Sequence, residues 1–247
     1  MRAPTRQGVV EAAERIASVL PPTPLLATEI AGVRCWVKAE NLQPIGAFKI
    51  RGGWNRLSVM HADERAAGVV AVSSGNHAQG VAWAAKKLDV RATIVMPRDA
   101  PQVKLDRTRE LGAEVVLYDR PGQDRDEVAK AVIEERGGTL VHAFGDPWVI
   151  EGQGSSGIEI VQQLGHQPTQ ILACCGGGGL SAGLALACPG AQVFAVEPVG
   201  WDMVAKALTA GEIVHADESA PTTICDALQP TATKPINLAS LLSLIHI

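Results

Sequence analysis

Apolar residues along this chain alternate between helical spacing and short unbroken runs. Residues 8–19 place apolar groups every three to four positions, until Pro21, Pro22 and Pro24 stop the helix. Val33–Lys38 predicts a short strand, and 47–60 a helix. The run Val69-Val70-Ala71-Val72-Ser73 predicts a strand, leading through Ser74-Gly75-Asn76 into an alanine-rich helix over 77–88. Further strands are expected over 91–96, 113–118, 139–143, 170–173 and 192–196. Helices are expected over 104–111, 124–136 and 150–164, and from a glycine run to about Ala187. Strands alternating with helices of about a dozen residues indicate βαβ units and a parallel sheet, hence an α/β fold. No fixed-period repeat and no low-complexity stretch interrupts the pattern.

Composition narrows the function classes. The chain has 247 residues, 47% apolar, enough for a sizeable core in one large or two modest domains. A net charge of −4 provides no basic field, which argues against a nucleic-acid partner. The five cysteines are odd in number and form no CxxC pair, so neither a disulfide framework nor a zinc knuckle is expected. Reduced, mostly buried thiols of a cytoplasmic protein are the simpler expectation. Residues 1–14 lack the apolar core of a signal peptide, and no apolar run reaches the ~20 residues of a membrane span. No membrane partner is expected.

Three segments carry chemistry. In the first, Gly176-Gly177-Gly178-Gly179 follows the strand ending Ala173-Cys174-Cys175 and precedes Leu180-Ser181-Ala182-Gly183 on a new helix. Residues without Cβ let backbone N–H groups converge on an anion, and the helix N-terminus adds positive potential. A flexible turn is the competing reading. No Gly-Lys-Ser/Thr follows, which excludes a Walker loop, and the late position disfavours a dinucleotide site.

The second segment, Ser73-Ser74-Gly75-Asn76-His77-Ala78-Gln79-Gly80, sits at a strand's carboxyl end, where parallel sheets bind ligands. Its hydroxyls and free N–H groups suit a carboxylate, although Ser and Asn there also serve as helix caps. The third segment runs from Glu40 to Gly53 and contains Phe48-Lys49-Ile50. A lone lysine is usually a surface solubiliser. At the start of an apolar helix, however, desolvation and the helix dipole both favour the neutral amine that attacks an aldehyde.

In this order, the three segments resemble the β-family (fold type II) of pyridoxal-phosphate enzymes, closest to threonine/serine dehydratases and serine racemases. The family pattern Glu-Asn-Leu-Gln-x-x-Gly-Ser-Phe-Lys-x-Arg-Gly is met by Glu40 through Gly52, and Ile224-Cys225-Asp226-Ala227-Leu228 also resembles a dehydratase segment. The resemblance implies two α/β domains with parallel twisted sheets, of the tryptophan synthase β type, and pyridoxal 5′-phosphate between them. It implies a small domain over 68–145, a discontinuous large domain of 1–67 and 146–247, and a homodimer. Lys49 would bind the cofactor's aldehyde as a Schiff base and then move the Cα proton of an amino-acid substrate. Phe48 would line the ring, Asn76 contact its phenolic oxygen, and Gly176, Gly177, Gly178 and Gly179 hold the phosphate. Ser73, Ser74, Gly75 and His77 would cradle the substrate carboxylate. The implied reaction deaminates L-threonine or L-serine to 2-oxobutanoate or pyruvate. Ser74 keeps racemisation open, because serine racemases use a serine there as the acid on the opposite face.

The departures also carry expectations. Ile45 and Ala47 stand where the family usually has Thr and Ser, which removes two hydroxyls. Many relatives bind a divalent cation through a glutamate matched by Glu197 and an aspartate six residues on. That second position is Met203, a poor ligand for a hard cation, and the adjacent Asp202 would point elsewhere, so no metal site is expected. Family members continue well beyond Leu238, into a run whose Ser or Thr bonds the pyridine nitrogen. The apolar stretch 241–247 therefore reads as the end of a truncated member, needing burial and expected to leave the chain less stable and poorly active.

Overall fold

A computed structural model of the chain describes residues 2–217 and 219–242. Contacts divide it into two compact units, each described here by itself: the described residues up to Gln43 with those from Phe144 onward, and Pro44–Ala143. The first unit opens with helix α1 (Arg6–Ala17), capped by the Thr5 hydroxyl, which accepts from the Gly8 N–H. Strands β1 (Leu25–Ile30) and β2 (Val33–Lys38) follow as an antiparallel hairpin. The hairpin departs from an all-parallel expectation. β1 escapes the sequence pattern because its residues 26–30 are exposed and show no buried alternation.

Pro44–Ala143 contains α2 (Lys49–Ser58), α3 (Ala62–Ala67), β3 (Val69–Val72), α4 (Asn76–Leu88), β4 (Ala92–Pro97), α5 (Gln102–Glu110), β5 (Glu114–Tyr118), α6 (Arg125–Arg136) and β6 (Thr139–Leu140). Its sheet is wholly parallel, in the order β5-β4-β3-β6. Central β4 is buried at every position, as a strand covered on both faces must be. The first boundary falls after Gln43 rather than near residue 67, because α2 lies directly against α4. A Cβ on Gly53 would stand 2.7 Å from the Gly80 carbonyl oxygen, and one on Gly80 would stand 2.7 Å from that of Lys49. Two glycines thus bring the backbones of the two helices into contact.

The first unit resumes with α7 (Pro147–Leu164), β7 (Gln170–Cys174), α8 (Gly179–Ala187), β8 (Gln192–Val196), α9 (Met203–Ala210) and α10 (Pro235–Leu242). Strands β7 and β8 pair in parallel. Helices α7 and α8 repeat the glycine contact, a Cβ on Gly183 falling 2.5 Å from the Ile150 carbonyl oxygen. Ile150, Cys175, Ala182, Val204, Ala207, Leu238 and Leu241 share one core cluster. Leu241 is therefore buried as the sequence required, Leu242 is half exposed, and 243–247 lie outside the described residues. The cysteines are free, but only Cys175 and Cys188 are buried, while Cys174 and Cys225 are exposed. Burial pushes the Cys175 thiol up to about 12 and that of Cys188 to about 11, so neither is a nucleophile at neutral pH. No helix among the described residues is long and apolar enough to cross a membrane.

Glu151 on α7 is completely buried, and the N-terminal segment satisfies it. Arg2 binds both carboxylate oxygens, with Nη1 2.6 Å from Oε1, and the Thr5 N–H adds a bond of 3.0 Å. The Arg2 guanidinium also lies 4.5 Å from the Trp148 ring centroid. Arg2→Ala would leave a buried carboxylate with one donor, and urea unfolding should show a loss of about 2–3 kcal/mol, below the full cost of breaking a buried pair because Arg2 is partly solvated. An unchanged midpoint would rule out this clamp.

Candidate active site

Within Pro44–Ala143, the lysine segment turns through Gly46 at φ +72, a left-handed conformation that favours glycine. Helix α2 starts at Lys49 itself, two residues later than the sequence pattern suggests. The half-buried Lys49 ammonium donates to the Ala143 carbonyl oxygen at 2.8 Å. Phe48 precedes it, with its ring centroid 5.3 Å from Nζ. Ile45 and Ala47, the positions without the expected hydroxyls, are buried and apolar.

Helix α4 presents its N-terminus beside this lysine, since Gly80 on its second turn touches the Lys49 carbonyl. Ser73 accepts the Gly75 N–H, which shapes the loop before the helix. Asn76 is exposed at the first helical position, and Ser73, Ser74 and Gly75 are half-buried. The hydroxyl of Ser74 and the amide of Asn76 make no hydrogen bond among the described residues. The first helical turn contains no acidic residue, so its potential stays positive and open to an anion.

His77 differs from its sequence neighbours. Its ring is buried, with Nε2 2.8 Å from the Val141 carbonyl oxygen, so Nε2 carries the proton and donates. What His77 can offer a carboxylate is therefore its backbone N–H. Burial drives the imidazole down to about 3, and the Lys49 charge pushes the same way. With the folded value below the unfolded 6.5, the unfolded chain binds the extra proton. The neutral ring's contribution to stability is complete above pH 6.5 and is lost as pH falls toward 3, by up to about 1.4 kcal/mol per pH unit. Denaturation of wild type and His77→Asn across that range should show a shallower pH slope in the variant. Equal slopes would assign the acid sensitivity to other groups.

In the other unit, Gly176–Gly179 leads from β7 into α8. Gly178 takes φ +92 as the N-cap, and the glycines from 177 to 179 are buried. A Cβ on Gly177 would enter the Phe144 ring at 2.3 Å, so the loop accepts no side chain there. The N–H groups of Gly176, Gly177, Gly179 and Leu180 find no partner among the described residues. Gly177 and Gly179 are buried, and buried backbone donors are nearly always satisfied, so these two call for an acceptor from outside the chain. Four donors at a helix N-terminus suit a phosphate. Thr233 and Asn237 both donate to the Gly177 carbonyl oxygen, at 2.9 and 2.7 Å.

Glu197 has a structural task of its own. Its oxygens accept the N–H groups of Val204 and Ala205 at 3.0 and 2.9 Å, capping α9, while burial raises its pKa. Met203 is buried, and Asp202 pairs with Lys206 at 2.9 Å.

The family model described as pyridoxal-phosphate dependent enzyme matches residues 16–245. The chain belongs to that family. Its cofactor is pyridoxal 5′-phosphate, whose phosphate suits open backbone donors at a helix N-terminus and whose aldehyde suits an amine. The L-threo-3-hydroxyaspartate ammonia-lyase of Pseudomonas sp is 41% identical over 229 residues, 90% of this chain and 71% of that protein. The serine racemase of Schizosaccharomyces pombe is 39% identical over 92% of this chain and 72% of its own length. Among solved structures, a threonine deaminase from T.th. matches with TM-score 0.89 at 41% identity, covering 98% of this chain and 80% of the other. Maize serine racemase matches with TM-score 0.92 at 33% identity, covering 99% and 76%. These relatives establish fold type II and a place among ammonia-lyases and racemases of small amino acids.

Sequence reasoning had no hold on the Ala143 carbonyl, Phe144, Thr233 or Asn237. Each acts at long range through its backbone, its ring or a single donor, and none stands in a recognisable motif. The glycines within helices, Gly53, Gly80, Gly154 and Gly183, were the available signal. A helix interior keeps such residues at a cost of about 1 kcal/mol each, which points to a close contact.

Proposed function

We propose that this enzyme deaminates L-threonine or L-serine, giving 2-oxobutanoate or pyruvate and ammonia. The observation carrying this reading is Lys49: a half-buried amine at the first position of α2, held by the Ala143 carbonyl beside the unobstructed N-terminus of α4. Pyridoxal phosphate supplies the electron sink that makes a Cα proton removable. Lys49 would hold the aldehyde carbon, and its Nζ would carry the Cα proton. Phe48 packs by the ring, and the Asn76 amide donates to the phenolic oxygen. The hydroxyls of Ser73 and Ser74, with the N–H groups of Gly75 and His77, bind the substrate carboxylate. Gly176 through Gly179 hold the phosphate. Two of the relatives act on 3-hydroxyaspartate, which shares with serine and threonine a hydroxyl on Cβ as the leaving group.

A second reading, serine racemisation, is favoured by one feature. The Ser74 hydroxyl makes no bond among the described residues, so it is available as the acid that returns a proton to Cα. Incubation of the cofactor-loaded enzyme with L-threonine and L-serine, assaying 2-oxo acids and D-serine together, separates the two. Release of 2-oxo acid supports the lyase. D-serine without 2-oxo acid would replace it with the racemase.

A further inference from the structure

The four-glycine loop poses a physical problem that its own residues do not solve. Glycine visits left- and right-handed conformations about equally, so consecutive glycine peptides can flip at little steric cost. A flip turns a carbonyl oxygen to where an N–H had pointed, and an oxygen facing an anion repels it. The peptide between Gly177 and Gly178, whose own N–H faces the Cys175 sulfur, is held against this, and it joins the two residues whose N–H groups stay open on either side, Gly177 and Gly179. Its carbonyl accepts the Thr233 hydroxyl at 2.9 Å and the Asn237 amide Nδ2 at 2.7 Å. Thr233 is 2% exposed and Asn237 fully buried, so water cannot replace either donor. The orientation of the Asn237 amide follows from its partner, since only nitrogen can donate to a carbonyl. Leu241, one turn further along α10, lies 3.1 Å from where a Gly178 Cβ would stand and closes the loop from the same side.

We propose that Thr233 and Asn237 are positioning residues for the phosphate of the cofactor, fixing the Gly177 carbonyl so that the loop presents N–H groups to the anion. The inference rests on the assignment of Gly176–Gly179 to the phosphate. Neither residue touches the cofactor in this account. Both act through the peptide they hold. Losing both donors from a buried carbonyl leaves that oxygen unsatisfied, and its cheapest remedy is to turn the loop.

The test compares pyridoxal phosphate with pyridoxal, which has the same aldehyde and no phosphate. Each is titrated into the full chain freed of cofactor, following the visible absorbance that depends on Lys49. Wild type should prefer the phosphorylated form. T233V/N237L should lose at least about tenfold of that preference, two hydrogen bonds of ordinary strength, while its affinity for pyridoxal is kept. T233V alone should lose about threefold to fivefold, and T233S, which retains the hydroxyl, should behave as wild type. An unchanged preference in the double variant, or an equal loss for both ligands, would overturn the proposal, the second outcome marking a merely structural pair. A wild type that binds both ligands equally through Lys49 would instead remove the phosphate role of the glycine loop. Absence of any Lys49-dependent band would remove the reading of Lys49 itself.

Discussion

Lys49→Ala is expected to abolish the visible absorbance of the cofactor-loaded protein and to reduce release of 2-oxo acid from L-threonine or L-serine by about a thousandfold. Two losses combine in that figure: the covalent hold on the aldehyde and the amine that carries the Cα proton, general acid–base transfer alone contributing about 10²–10⁴. Stability should barely change. Lys49 is half-buried at the first helical position, and its ammonium donates to the Ala143 carbonyl. Such substitutions usually stay within about 0.5 kcal/mol. Equal thermal midpoints with lost absorbance identify a chemical residue. A variant that keeps the band would show that another amine binds the cofactor.

Gly80→Ala should destabilise the protein although it adds only one methyl to a helix. Helix propensity alone predicts a gain of about 1 kcal/mol. The new Cβ, however, would stand 2.7 Å from the Lys49 carbonyl oxygen and 2.9 Å from its carbon. These are backbone atoms at the start of α2, which cannot rotate away as a side chain would. Overpacking of this kind costs about 3 kcal/mol or more, so the steric term wins and a net loss of about 2 kcal/mol is expected in urea unfolding. Gly122→Ala is the control, because nothing lies within 4 Å of its added Cβ. A Gly80→Ala protein as stable as wild type would mean that α2 can move off α4 freely. Cofactor affinity should fall along with stability, since the displaced backbone carries Lys49.

Most strands and the longer helices were legible in the sequence because burial imposes its period on them. Strand β4 and the alanine-rich face of α4 are examples, each apolar where the packing is. Strand β1 was not legible, because exposed residues fill most of it. Helices α9 and α10 were missed for another reason. Each is only eight residues long, so the helical spacing of Met203, Val204, Ala207 and Leu208, or of Leu238 and Leu241, runs for barely two turns. The chemical segments could be read because anion binding and amine chemistry demand particular residue types close together in sequence. Where the site depends on a partner far along the chain, sequence fell silent. His77 shows the limit most directly: a histidine in the right motif, with its ring turned inward to a carbonyl 64 residues away.

The glycine contacts between α2 and α4, and again between α7 and α8, bear on how this protein can change over time. Where helices meet through side chains, their spacing depends on every residue at the interface, and drift in any one of them shifts the others. Here the spacing at each crossing is set by main-chain atoms, which are the same whatever the neighbouring side chains become. The Lys49 amine is carried on the first of these crossings, and the phosphate-suited loop leads directly into a helix held by the second. Core residues elsewhere can therefore diverge widely while both functional groups keep their place within their own unit. Mutational tolerance should accordingly be high around these helices and nearly absent at four glycines.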